Sequence, residues 1–345
     1  MKHLLVDVLL WCVLFVFAVF GMTNFASLQQ YSAVSLRYEK PFSGEAAYQA
    51  RQYAIEHSAE NTFWLTFWTE YEAQYGTEFN TVSAACLLFS GDAALVWPAE
   101  YLAGGMPGVT DGVGCAISSG LAWELWGGID AIGKTIEVDS VPRVVRGIFA
   151  EKELIALLSV RDDDLKQSFT AVELSGGQSS PERSSVENFA NASGLGIPDS
   201  VLMGTPTFLA KLMTMLPLII FALLGLVVCI SCMKKWPAAL RKIVVFLIFF
   251  GVAILLPRFL DILPDWAIPT QWSDFTFWQA LFKQAGENLR EYIEPSSSLR
   301  DVGYAALFFK QIIITFVASG LTLFICLRWY RRVQLGALER RSNCG

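Results

Sequence analysis

Long uncharged apolar runs interrupt otherwise ordinary globular sequence along this chain. Leu4 to Met22 is apolar except for Asp7, Leu212 to Cys232 carries no charge, Ile243 to Pro257 is shorter, and Gln311 to Leu327 is the last. A helix needs about 20 mostly apolar residues to cross roughly 30 Å of hydrocarbon, so each run predicts a membrane span. The third requires Arg258 and Asp261 to snorkel at its outer end. The first run also carries marks of a secretory leader, with Lys2 ahead of it and Val19-Phe20-Gly21 as a weak cleavage site. Its length favours a span.

Between the first two runs the pattern changes. Ser43-Gly44-Glu45 opens a helix through about His57, with Ser43 as its cap. Thr62 to Thr69 and Thr81 to Phe89 are rich in β-branched and aromatic residues and read as strands. Ser118 or Ser119 caps a short helix in which Leu121/Leu125 and Ala122/Trp126 repeat at i, i+4. Lys134 to Asp139 alternates, and Asp139-Ser140 turns the chain into Val144 to Phe149 as a hairpin partner. Residues 175–200, rich in Ser, Gly and Pro, read as a mobile stretch.

Charge fixes the orientation. Residues 24–207 carry 10 basic against 23 acidic residues, and 258–306 carry 4 against 7. The loop after the second run holds Lys234, Lys235, Arg241 and Lys242 with no acid, and the tail holds Arg328, Arg331, Arg332, Arg340 and Arg341 against Glu339. Basic loops stay inside, so four spans place both basic pieces and both termini in the cytoplasm. Trp11, Trp236, Trp266 and Trp329 lie near span ends, where amphipathic rings prefer to sit. The fold class expected is an α+β membrane protein with four transmembrane helices and a large mixed α/β extracytoplasmic domain between the first and second. Its spans fall at 1–23, 208–233, 243–263 and 305–327, with the outer domain at 24–207. An inner loop occupies 234–242, an outer loop 264–304 and an inner tail 328–345.

Composition narrows the function. Only 17% of the 345 residues are charged and the net charge is −6, which argues against a nucleic-acid partner. His3 and His57 are the only histidines, too few for a His-ligated zinc or a Ser-His-Asp triad. No enzyme activity, cofactor or metal is expected. Gly128 to Thr135 matches the phosphate-loop pattern GxxxxGK[ST], but a helix leads in and a strand follows, the reverse of what phosphate binding needs. Cys229-x-x-Cys232 lies in an apolar span with no second pair, and Asp162-Asp163-Asp164 lacks the spacing of a calcium loop. Cys86 and Cys115 are the two cysteines of the outer domain and form a candidate disulfide, or else two buried thiols.

The segment Cys115-Ala-Ile-Ser-Ser-Gly-Leu-Ala-Trp-Glu-Leu-Trp-Gly-Gly-Ile-Asp-Ala-Ile-Gly-Lys-Thr-Ile-Glu-Val138, followed by Arg143-Val-Val-Arg-Gly-Ile-Phe149, resembles the MacB-type periplasmic core domain. The likeness covers about residues 81–150. It implies a permease subunit of a type VII ABC system that works in pairs, as a homo- or heterodimer with another permease in membrane lipid. A separate ATP-binding cassette ATPase would drive it, and this chain would perform no covalent chemistry. Many relatives carry an REIG-x-x-rAlGa stretch after the second span. Here Met233-Lys-Lys-Trp-Pro-Ala-Ala-Leu-Arg-Lys242 stands there and keeps only its basic character. Trp236 and Leu240 in that loop are the candidate ATPase-coupling residues. The alternative is a membrane-anchored extracytoplasmic binding or sensory domain without an ATPase partner.

Overall fold

The computed structural model describes residues 2–31, 34–57, 63–78, 80–108, 111–161, 164–176, 183–233 and 298–342, with isolated positions between 237 and 290. In chain order the elements begin with α1 (Lys2–Gln30), β1 (Val34–Ser43), α2 (Gly44–Glu56), β2 (Trp64–Gly76) and β3 (Thr81–Ser90). Next come α3 (Ala93–Val96), β4 (Tyr101–Gly104), β5 (Gly114–Ser118), α4 (Ser119–Trp126), β6 (Thr135–Val138) and β7 (Val141–Phe149). The last are β8 (Ile155–Ser159), β9 (Ser168–Ser175), α5 (Arg183–Ala192), β10 (Ser200–Leu202), α6 (Thr205–Met233) and α7 (Leu299–Ser342). They fall into two compact units, Gln30–Thr205 with Phe282–Tyr304, and Met1–Gln29 with Pro206–Leu281 and Ala305–Gly345.

The first unit is built on a sheet in the order β10-β1-β9-β2-β3-β8-β5-β7-β4. β6 pairs with both β7 and the end of β2, where Tyr75 faces Val138. Six strands, β2-β3-β8-β5-β7-β6, therefore close on themselves. Strict alternation sends Tyr75, Cys86, Leu88, Cys115, Ile117, Ile136, Val145, Ala156 and Leu158 into one core inside the ring. Leu121, Ala122 and Leu125 of α4 join the same core.

Local chemistry sets the helices. The Ser43 hydroxyl accepts from the Ala46 amide at 3.3 Å, and Ala47, Ala50 and Ala54 turn a smooth face inward. The fully buried Ser118 hydroxyl accepts from Leu121 N at 3.1 Å and from Ile155 N at 3.2 Å, so one side chain caps α4 and fixes the start of β8. Gly127, at φ 69°, ends α4 in the left-handed conformation that only glycine adopts at no steric cost. Asp139 and Ser140 both have positive φ, as a two-residue hairpin between β6 and β7 requires.

Two expectations change. Within the stretch 175–200, read as mobile, residues Arg183–Ala192 form α5, which buries Val186, Phe189 and Ala190, spaced i, i+3, i+4 among polar residues. β2 runs on past Thr69 to Gly76, because Tyr71, Ala73 and Tyr75 alternate with Glu70, Glu72 and Gln74.

Among the described residues, three helices are long and apolar enough to cross a membrane: Leu5–Gln30, Pro206–Val227 and Leu299–Arg332. The third expected run, Ile243 to Pro257, lies outside the described residues save for Val244 and Phe246. Within the helical unit, Trp11 of α1 meets Phe221 of α6 edge-on at 5.7 Å. Asn24 Nδ2 donates to Gln311 Oε1 at 2.9 Å, and Gln311 Nε2 donates to Thr214 Oγ1 at 2.8 Å, linking α1, α7 and α6. Side-chain amides between apolar helices make such bonds because lipid offers no partner. Asp7, the one charge in the first apolar run, pairs with Arg328 at 3.1 Å and with Arg332.

Candidate functional site: a buried charge cluster

The most unusual chemistry of the first unit lies on the side of the sheet formed by Ser35 and Arg37 of β1, Trp68 and Glu70 of β2 and Glu173 of β9. Register brings them together, since Ser35 faces Glu173 across β1 and β9 while Trp68 faces Ala171 across β2 and β9. Glu173 is fully buried, and a carboxylate there needs partners. It has them. Its Oε1 accepts from Ser35 Oγ at 2.7 Å and from Trp68 Nε1 at 2.9 Å, and its Oε2 accepts from Arg300 Nη2 at 3.0 Å.

Arg300 and Asp301 come from the first turn of α7. Arg300 is 1% exposed and donates through Nε and Nη2 to the Leu95 carbonyl of α3 at 3.3 and 3.1 Å. Asp301 Oδ1 accepts from Arg37 Nη2 at 2.8 Å and from Arg300 Nη1 at 3.3 Å, while its Oδ2 accepts from Ser298 Oγ at 2.9 Å. The Arg37 guanidinium also lies 4.4 Å from the Trp68 ring centroid, and that of Arg300 5.5 Å from Tyr31. Two arginines and two acids thus form a neutral, largely dry network. Deleting one member of such a network costs about 3–5 kcal/mol, because its partner is left buried and unpaired.

Glu70 completes the contact by accepting from the Leu299 amide at 2.9 Å. Burial holds its carboxyl above the ordinary carboxylate range; the Leu299 amide and Arg37 pull the other way, and Asp301 adds to the rise. Folded Glu70 therefore keeps its proton at pH values where the unfolded chain has released it. The folded state binds more protons there, so stability contributed by Glu70 is full below the ordinary glutamate range and is lost as pH rises through the raised value. Glu70→Gln, which stays neutral and still accepts the Leu299 bond, is expected to flatten the decline in stability as pH rises above the ordinary glutamate range, about 4. Hydrogen exchange of the Leu299–Tyr304 amides across that range measures it, and an unchanged slope refutes it.

An open cleft of about 950 Å³ adjoins the cluster, lined in part by Arg37, Glu39, Glu70, Glu72, Asp199 and Asp301.

The residues singled out from sequence lie elsewhere. Trp236 and Leu240 are outside the described residues. Cys86 and Cys115 are both free, buried thiols, and they do not meet. Cys86 pairs with Ala156 and Cys115 with Leu158 on opposite sides of β8, which puts their Cα atoms roughly two strand spacings, about 10 Å, apart. A disulfide needs less than about 7 Å. Burial pushes the Cys115 thiol up to about 12 and raises that of Cys86, so neither is a nucleophile at neutral pH. The phosphate-loop lookalike is a helix-to-strand turn. Its Gly133 and Lys134 amides donate to the Val145 and Ala131 carbonyls at 2.8 and 3.1 Å, and the Lys134 ammonium lies 5.4 Å from the Trp126 ring centroid.

No family model and no curated protein matches the chain. Solved structures do. One is the extracellular domain of the noncanonic ABC-type transporter YknZ from Gram-positive bacteria, at 10% identity and a TM-score of 0.37 over 47% of this chain and 89% of that one. Another is the periplasmic region of MacB from Actinobacillus actinomycetemcomitans, at 7% identity and a TM-score of 0.41 over 51% and 92%. This chain is similar to both.

Proposed function

We propose that the chain is a non-catalytic permease subunit of an ABC exporter or mechanotransmission complex, coupling a separate ATPase to its sheet unit outside the cytoplasm. One observation carries the reading: the sheet unit grips the start of α7 through the buried charge cluster. The other two apolar helices join the same unit through short connections, three residues between Gln30 and Val34 and two between Leu202 and Thr205. A displacement of any of the three helices would reach the sheet with little slack. The sequence resemblance to MacB-type domains supports the same reading, as does the charge pattern that puts both termini inside. In this scheme the basic loop 234–242 meets the ATPase, with Trp236 as its large aromatic contact and Leu240 beside it. The protein works as a homo- or heterodimer with another permease.

The test is co-purification from mild detergent. An ATP-binding cassette ATPase is expected with the wild-type chain, and Trp236→Ala with Leu240→Ala is expected to weaken that association while membrane insertion persists. Equal recovery from the double variant refutes the loop as the coupling element. The open cleft beside the cluster favours a second reading, an anchored binding or sensory domain, and the absence of any ATPase from every preparation would select it.

A further inference from the structure

A second cavity of the sheet unit has a different character. It is a groove of about 750 Å³ whose walls include Ile55, Phe63, Trp64, Leu95, Trp97 and Tyr101. Trp64 is 70% exposed and Ile55 60% exposed, an unusual outlay of large apolar surface in one place. Among the described residues, Arg51 and Asp92 are the only charged ones on the wall, and both are engaged inside the protein. Arg51 Nη2 donates to the Ser90 carbonyl and hydroxyl at 3.1 and 3.2 Å, and Asp92 Oδ1 accepts from the Ala94 amide at 2.9 Å. The Thr66 hydroxyl accepts from the Asp92 amide at 2.9 Å, and the Leu95 carbonyl is held by Arg300.

We propose that this groove holds a hydrocarbon chain of a membrane phospholipid. Arg51, Asp92, Thr66 and the Leu95 carbonyl already have partners, so a charged occupant meets no free charge on the wall and loses its hydration. A peptide strand would bring amides that need partners, whereas Pro98 and Pro107 on the wall have no N–H to give. A hydrocarbon chain needs none and gains the full benefit of apolar burial. The rim also fixes the source. Gln30, which lines the groove, is the residue on which the apolar helix Leu5–Gln30 ends, so the groove begins where the chain leaves a span. Trp64, Trp97 and Tyr101 are the amphipathic rings that favour the boundary between lipid and water.

The experiment uses the full chain in phospholipid nanodiscs doped with phosphatidylcholine carrying a diazirine near the end of one acyl chain. After irradiation, adducts are mapped by peptide. Adducts are expected on the peptides holding Phe63 to Phe67 and Ala93 to Tyr101, in addition to those on the spans, and the peptide with Trp123 serves as the background. Ala94→Trp, at an exposed position on the wall, fills the groove and is expected to bring its adducts to background while span labelling stays. Trp64→Ser and Ile55→Ser alter only exposed side chains and are expected to reduce the same adducts, so a folding failure at Ala94 does not decide the matter. Labelling confined to the spans in the wild type overturns the proposal. So do groove adducts that survive Ala94→Trp, or groove residues that crosslink to a second protein chain instead of lipid.

Discussion

Arg300→Met is expected to destabilise the sheet unit by about 3–5 kcal/mol, although methionine fills most of the same space. The substitution removes the guanidinium that binds Glu173, Asp301 and the Leu95 carbonyl, and it leaves a fully buried carboxylate short of one charged partner. Hydrogen exchange of the β9 and β1 amides in the detergent-solubilised full chain reads the loss. Adding Glu173→Met to the same chain should recover part of it, because the second change removes the orphaned charge. Wild-type exchange rates in the single variant would mean that the cluster is a bystander.

Gly120→Val should cost about 3–4 kcal/mol, among the largest effects of any single change in the ring. A side chain on Gly120 would begin only 2.1 Å from the Lys152 carbonyl oxygen. That backbone cannot retreat easily, since the Glu151 carbonyl accepts from both the Gly120 amide at 2.9 Å and the Ser119 hydroxyl at 2.7 Å. α4 must therefore lift from the ring core, which exposes Cys115 and Cys86 to a maleimide reagent. Gly128→Ala, where nothing lies within 4 Å of the added carbon, is the matched control and should leave both thiols shielded. Unreactive thiols in Gly120→Val would show that the helix accommodates the clash.

Features governed by neighbours along the chain are legible in the order of residues. Ser43 and Ser118 cap helices because a hydroxyl reaches an amide three residues on, and Asp139-Ser140 turns because those residues tolerate positive φ. The extension of β2 is also written in the alternation from Glu70 to Tyr75, and the apolar stripe of α5 in Val186, Phe189 and Ala190. Both are masked by their polar surroundings. The charge cluster is of another kind. Glu173 and Arg300 are 127 positions apart, and Arg37 and Asp301 are 264 apart. A lone glutamate in an apolar strand gives no hint of which arginine it awaits, and Arg300-Asp301 reads as ordinary charge ahead of a span. The unbridged thiols are equally beyond reach, because only the strand order puts β8 between them.

The same separation orders the birth of the protein. A ribosome adding about 5–20 residues per second needs roughly 6–25 s to travel from Glu173 to Arg300. Throughout that interval the strands of the ring can pair, yet Glu173 has no Arg300 to meet. The charge cluster is complete only once the first turn of α7 has been made. A nascent chain that stalls before residue 298 holds Glu173 with Ser35, Trp68 and Arg37 alone among the described residues, and lacks the one donor that reaches its second oxygen.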